Sequence, residues 1–274
     1  MTYIYVMARM LSIKSKAAKD ISEYILSTKF VSDSSLVTRW GSLQYPELKT
    51  LNSYKAVCLA SNKKQAREVL AENGIPVPQR TEIDYPVVGR PTKHTRGKRF
   101  FYCEDAKQVE RAKRKGATYF SKYYNKQREY RVHIGSGKVL LFSVKNGDKN
   151  EKIWNTKHGF TFRHMARSEW MWANELMEIQ RMCKKAVKVL GLDFGAVDVL
   201  YSDQEPQRFV ITEVNTAPGL SPLGVRKYAE YFMKKIMEDE TDSLYSRSIV
   251  KADGSDRTRS PFYPTFRHLS PQDK

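Results

Sequence analysis

Three observations predict an α/β chain folded into α+β lobes. Strand-type and helix-type runs alternate from Tyr3 to Met237, punctuated by glycine and proline. Hydrophobic residues make up 41% of the 274 residues and aromatics 12%, enough for a sizeable core and too much for general disorder. Two long apolar strands near residue 200 follow an amphipathic helix. The charge is uneven: 48 Lys and Arg against 30 Asp and Glu give a formal +18, and residues 85–131 alone hold fourteen bases and four acids. Such a stretch is either a solvated basic surface or a face for something anionic, whether nucleic acid, nucleotide phosphate or an acidic substrate.

Residues 1–60 read as a small α/β unit. Tyr3–Met7 is β-rich, Ser15–Leu26 has apolar residues at helical spacing, and Val57–Ala60 reads as a second short strand. The second unit, 61–118, opens with Asn62 capping a helix, Lys63–Glu72, that stops at Gly74. Ile75-Pro76-Val77-Pro78 must then run extended. Strand Tyr85–Val88, basic loop Pro91–Lys98, strand Phe100–Cys103 and a helix over Glu104–Lys115 closed by Gly116 complete it. The third unit, 119–240, starts with strand Tyr119–Tyr124. A hairpin follows, Tyr130–Ile134 and Val139–Lys145, turning at Gly135-Ser136-Gly137. Ser168 caps a helix predicted to reach Leu190, strands Phe194–Tyr201 and Phe209–Val214 come next, and a last helix spans about Leu223 to Met237. Residues 241–274, rich in Ser, Arg, Asp and Pro, read as a flexible tail.

Several function classes drop out. Cys58, Cys103 and Cys183 form no CxxC and no Cys/His pairing, so reduced thiols are expected rather than disulfides or zinc. The five histidines lack HExxH-type spacing. No apolar run approaches the roughly 20 residues that span a bilayer, and MTYIYVMARML is interrupted by Arg9 and lacks a basic leader. The expectation is a cytoplasmic protein with no membrane partner.

The most specific string is Phe194-Gly195-Ala196-Val197-Asp198-Val199-Leu200, followed by Val210-Ile211-Thr212-Glu213-Val214-Asn215-Thr216-Ala217-Pro218-Gly219. Alternation puts Glu213 and Asn215 on one strand face, and a hairpin around 202–207 brings Asp198 within a rung or two of Glu213. Two acids and an amide converge in apolar strands, a set suited to hard Mg²⁺ or Mn²⁺ ions that keep phosphate oxygens in their shell. The alternative is that both acids pair with nearby bases.

With these strings the chain resembles the ATP-grasp superfamily, in its carboxylate–amine and peptide ligase branch near D-alanine–D-alanine ligase and the ribosomal-protein glutamate ligases. The resemblance covers about residues 55–225. It rests on Asn62-Lys63 before a helix ending in Gly-Ile-Pro-Val-Pro, Val87-Val88-Gly89-Arg90-Pro91, Glu129-Tyr130-Arg131-Val132, Gly191-Leu192-Asp193-Phe194-Gly195-Ala196-Val197-Asp198, and Glu213-x-Asn215-x-x-Pro218-Gly219, in that order. In size the chain is also similar to short phage-encoded ATP-grasp proteins. The resemblance implies two lobes sandwiching ATP beside a reduced N-terminal α/β unit.

It also implies roles. Arg90 stands where the family offers a lysine to the ATP phosphates, and Lys93, His94, Gly97 and Lys98 belong to the phosphate-covering loop, with Lys98 replacing an expected glycine. Phe120 and Tyr123 wall the adenine and the Lys122 backbone contacts it, although Ser121 occupies the place of a common carboxylate. Glu129 accepts from the ribose hydroxyls, and Asn155 lines the metal and phosphates. Asp198, Glu213 and Asn215 hold the metal. By the same resemblance Lys145 and Arg131 stabilise charge as an acyl phosphate is attacked, and no nucleophilic side chain is needed, consistent with the absence of a Ser/His/Asp or Cys/His pattern.

The implied activity is an ATP-dependent carboxylate–amine ligase using ATP and Mg²⁺ (or Mn²⁺), acting on small-molecule or peptide carboxylates and amines. Two alternatives stay open: an ATP-grasp phosphotransferase, and a basic nucleic-acid- or particle-associated protein without turnover. Helix bases Lys107, Arg111, Lys113, Arg114 and Lys115 keep an acidic or nucleic-acid-linked substrate in view. The sequence does not fix the oligomeric state.

Overall fold

The computed structural model describes residues 9–12, 15–28, 36–91, 100–148, 151–152, 154, 159–171 and 173–252. The first unit is a parallel three-stranded sheet in the order β1-β2-β3, built from β1 (Arg9–Ser12), β2 (Val37–Trp40) and β3 (Thr50–Leu51). Its helix α1 (Lys16–Ser27) is capped by Ser15, close to the prediction. The strand expected at Tyr3–Met7 lies outside the described residues.

Val57–Ala60 is not a strand. It lies inside α2 (Tyr54–Ser61), which the Ser53 hydroxyl caps by accepting from Ala56 N–H at 3.3 Å. A four-residue apolar run has no readable period, and the cap decides its form. Asn62 ends α2 and caps α3 (Lys63–Glu72) as expected, and Gly74 takes φ +66° beyond it. Helix α3 packs with α2 beneath the large sheet rather than with the small sheet that follows it.

The small antiparallel sheet has the order β5-β4-β6, from β4 (Val87–Arg90), β5 (Phe101–Cys103) and β6 (Tyr119–Lys122). Helix α4 (Ala106–Arg114), capped by Asp105, closes its core with Val109 and Ala112. The large antiparallel sheet has the order β11-β10-β7-β8-β9. Its strands are β7 (Arg128–Gly135), β8 (Lys138–Asn146), β9 (Thr161–His164), β10 (Phe194–Tyr201) and β11 (Phe209–Asn215). The helix predicted from Ser168 to Leu190 is instead two, α5 (Arg167–Met171) and α6 (Asn174–Val189). The last helix, α7 (Pro222–Ala252), runs well past Met237, so the expected boundary at 240 falls within it. Residues 253–274 of the expected tail lie outside the described residues.

Alternation along the large sheet separates core from site. Tyr130, Val132, Ile134, Val197 and Val199 face α2, α3 and α6 with Ile179, Cys183 and Ala186. Each such fully buried aliphatic side chain contributes roughly 1.5–3 kcal/mol. Glu129, Arg131 and Asp198 take the opposite face. A second core joins α1 and α7 through Trp40, Phe194, Tyr228 and Phe232. Asn52 and Gly41 are among the residues that tie the first unit to the large sheet and the segment after it. Asn52, fully buried at φ +57°, donates from Nδ2 to Phe194 O (3.0 Å) and accepts at Oδ1 from Asp193 and Phe194 N–H (2.8 and 3.1 Å). Gly41, at φ +67°, lies so close to Ala217 that a Cβ there would sit 2.7 Å from the alanine methyl. Among the described residues no helix is long and apolar enough to cross a membrane.

Candidate functional site

A cleft of about 1790 Å³ opens between the small sheet, the polar face of the large sheet, one face of α1 and the start of α7. At its floor Asp198 pairs in register with Glu213 on β11 and with Arg131 on β7. A β-bulge after Asp198 sets this geometry. Ile211 opposes Val199 in the core and Glu213 opposes Asp198 in the cleft, although simple alternation would put 211 and 213 on one face. Thr212 is the extra residue. Its carbonyl accepts from Arg67 Nε at 3.0 Å, and its hydroxyl donates to Asp198 O at 3.2 Å. Lys63, one turn before Arg67 on α3, forms an ion pair with Glu213. One helix face therefore holds the bulge.

Charges are arranged in pairs. Arg131 forks onto Asp198, Nε to Oδ1 at 2.7 Å and Nη2 to Oδ2 at 2.8 Å. Asn215 Nδ2 donates to both acids, at 3.0 Å to Glu213 Oε1 and 3.2 Å to Asp198 Oδ2. Lys145 bonds Glu129 and donates to Trp154 O at 2.8 Å. Phe162 lies under both cations, 4.4 Å from the Arg131 guanidinium and 5.1 Å from Lys145 Nζ. Burial alone would raise Glu213, but Lys63, Asn215 and Arg90 hold it far below the usual carboxylate range. Burial would likewise lower Arg131, and Asp198 outweighs it, so this guanidinium stays charged. For Glu129 burial prevails over Lys145 and its carboxyl is pushed up. Burial and the nearby Arg67 lower Arg90, against Glu213 and Glu129.

No protein-family model and no curated protein matches the sequence. Solved structures do match the fold. D-alanine–D-alanine ligase from Bacillus anthracis superposes with a TM-score of 0.60 at 14% identity, covering 90% of this chain and 98% of that one. The ATP-grasp ligase PsnB, solved with a minimal precursor, gives 0.59 at 13% identity over 87% of this chain and 100% of that chain. Biotin carboxylase from Campylobacter jejuni gives 0.59 at 17% identity over 82% and 57%. The chain has the ATP-grasp fold.

On this ATP-grasp fold the cleft brings together Asp198, Glu213, Asn215, Arg131, Lys145, Glu129, Arg90, Lys122 and Tyr123. Lys93, His94, Gly97, Lys98 and Asn155 lie outside the described residues. One expectation is corrected. Phe120 is no wall of the cleft: strand alternation turns it into the core of the small sheet with Val87, Cys103 and Val109. There it packs over Gly89, where a Cβ would lie 2.4 Å from the ring, and Tyr119 lines the cleft instead. Of the Lys122 backbone, the N–H is occupied, donating to Gln79 O at 2.8 Å, while its ammonium pairs with Asp84 at 2.9 Å. Among the described residues no three His, Cys, Asp or Glu side chains converge, so the acids Asp198 and Glu213 stand with only an amide as third donor. Lys63 and Arg67 gained no role from the sequence. Their four-residue spacing beside the Asn62 cap was the available signal, and the bulge that gives it meaning was not legible. Lys126, Trp154 and Phe162 also line the ATP-grasp cleft unforeseen.

Proposed function

We propose that the protein is an ATP-dependent carboxylate–amine ligase that forms an amide or peptide bond through an acyl phosphate, releasing ADP and phosphate. The observation that carries this reading is the floor of the cleft, where two carboxylates and an amide are surrounded by Lys63, Arg67, Arg90, Arg131 and Lys145. D-alanine–D-alanine ligase and PsnB share the fold, and their names describe ligases. ATP would lie with its base toward Tyr119 and Tyr123, its ribose toward Glu129, and its phosphates toward Arg90 and Arg67. The expected boundaries at 60 and 118 shift: we take β4, β5 and β6 with α4 as the small lobe, β7 to β11 with α2, α3 and α6 as the large lobe, and β1 to β3 with α1 as the N-terminal unit.

Asp198, Glu213 and Asn215 would hold a hard divalent cation through oxygen, with Asn215 Oδ1 taking the place toward the two acids that its Nδ2 now fills. Bound Mg²⁺ would neutralise phosphate charge and polarise the transferring phosphoryl group. Arg131 and Lys63 pair with the two acids and orient them. Arg131 and Lys145 also face the cleft, placed to oppose the oxyanion that forms as an amine adds to the acyl carbon. Phe162 beneath them limits their movement.

The test is Mg²⁺- and ATP-dependent phosphate release over pooled amino acids, polyamines, peptides and modified nucleotides, with mass spectrometry of the products. ADP release that rises with added amine marks a ligase; release indifferent to amine marks a phosphotransferase. Asp198→Asn with Glu213→Gln should lower turnover on the order of 100-fold or more. Intact ATP binding and turnover in that double variant would remove the site assignment.

A further inference from the structure

A second cavity lies behind Arg67. This groove of about 460 Å³ runs along residues 75–80, the extended run that follows α3, with Ala71 and Gln207 among its walls. Pro76 and Pro78 keep the run from coiling. Pro76 O accepts from Ile211 N–H of the large sheet at 2.8 Å, and Gln79 O accepts from Lys122 N–H of the small sheet at 2.8 Å. The groove therefore lies along the connection between the two sheets.

Arg67 and Tyr119 line both the groove and the cleft, so they stand between the two. The Arg67 guanidinium lies 5.4 Å from the centre of the Tyr119 ring, and Nε donates to Thr212 O at 3.0 Å. Its two Nη groups form no hydrogen bond and no ion pair among the described residues, although Arg67 is only 9% exposed. A buried guanidinium without an acid is costly, and an anion on Nη relieves that cost. Elsewhere in the groove Arg80 pairs with Glu68 at 3.4 Å. Two guanidiniums against one carboxylate leave a single positive charge, located at Arg67. Pro76, Val77 and Pro78 supply an apolar wall. One positive charge beside apolar surface suits a singly charged ligand with an apolar body, and Glu68 opposes a doubly charged phosphate.

We infer that the groove is a regulatory site for a small monocarboxylate with an apolar body, bound at Arg67 and antagonistic to the nucleotide. The antagonism rests on the nucleotide placement proposed above, in which ATP phosphates lie toward Arg67 and Arg90. One guanidinium shared by two anions binds each less well than it binds either alone, and the anions repel one another. A ligand drawing on Arg67 also acts on the bulge, since Arg67 Nε holds Thr212 O and the groove's own Pro76 O holds Ile211 N–H. These are the two residues before Glu213.

The probe is 3-phenylpropionate, with 3-phenylpropionamide as its uncharged isostere, titrated into the full chain and followed by ligand-observed NMR. The acid should bind with a dissociation constant on the order of 1 mM, and the amide at least about tenfold more weakly. Ala71→Trp fills the groove from an exposed position on α3, so it should abolish acid binding and leave the ATP dissociation constant unchanged. Arg67→Gln should weaken the acid about tenfold and leave the amide unchanged. Saturating acid should raise the ATP dissociation constant about fivefold, and ATP should raise that of the acid by the same factor. Ala71→Trp should remove both effects. Equal binding of acid and amide, acid binding that survives Ala71→Trp, or an ATP affinity indifferent to the acid overturns the inference. If ATP does not bind at all, the nucleotide reading and the antagonism fall together, while acid binding lost in Arg67→Gln and Ala71→Trp keeps the anion site.

Discussion

Lys126 shows how strongly the cleft acts on a single charge. Its Nζ donates to Lys152 O at 2.9 Å and lies 4.8 Å from the centre of the Trp154 ring. Burial, with help from Lys145 and Arg90 and against Glu129, lowers its pKa to about 8. The unfolded value is about 10.4. Between these values the unfolded chain binds more protons than the native one, so stability must rise with pH from about 8 to about 10.4. Thermal melts across that window should show the rise, and Lys126→Met should flatten it. An identical profile in the variant would place the titration elsewhere. The same reasoning explains why the carboxylate partners matter: removing Arg131 or Lys63 would leave a largely buried charge unpaired, which is far costlier than losing a surface ion pair.

At the scale of elements, Asn52 joins the first unit to the start of β10 with three hydrogen bonds from one fully buried amide. Its positive φ is one that asparagine tolerates better than most side chains. Asn52→Ala should therefore destabilise the fold by about 3 kcal/mol, since it leaves two N–H groups and a carbonyl unsatisfied. Urea unfolding measures this, and a change below about 0.5 kcal/mol would contradict it. Legibility in the sequence follows the strength of local signals. The α3 cap, the Glu-x-Asn string and strand Phe194–Tyr201 were readable because each is a local pattern with one structural solution. Val57–Ala60 was not, because its apolar run suits either element, and the 171–174 break divides a pattern that looks continuous. The bulge at Thr212 carries the largest consequence and had no sequence mark. It decides that Glu213 leaves the core side, and alternation predicted the right face for Asn215 only relative to Glu213 itself. Phe120 failed for the complementary reason, since alternation was legible there but its phase relative to the cleft was not.

Across the whole molecule, the +18 charge and the cleft are largely separate matters. Lys63, Arg131 and Lys145 are matched by Glu213, Asp198 and Glu129, so much of the floor is internally compensated. On α4, by contrast, Lys107, Arg111 and Arg114 are exposed and form no ion pair among the described residues, while Lys113 pairs with Glu82 and Glu110. The triple change Lys107→Gln, Arg111→Gln and Arg114→Gln should move elution from a heparin column to lower salt and leave ATP affinity unchanged. Loss of ATP affinity would show that α4 belongs to the site after all. The contact between Gly41 and Ala217 sets a rule for anyone who recombines such proteins. A chimera that grafts a different N-terminal module onto the rest of this fold must present a residue without a side chain opposite Ala217, or the graft displaces the segment that follows Glu213 and Asn215.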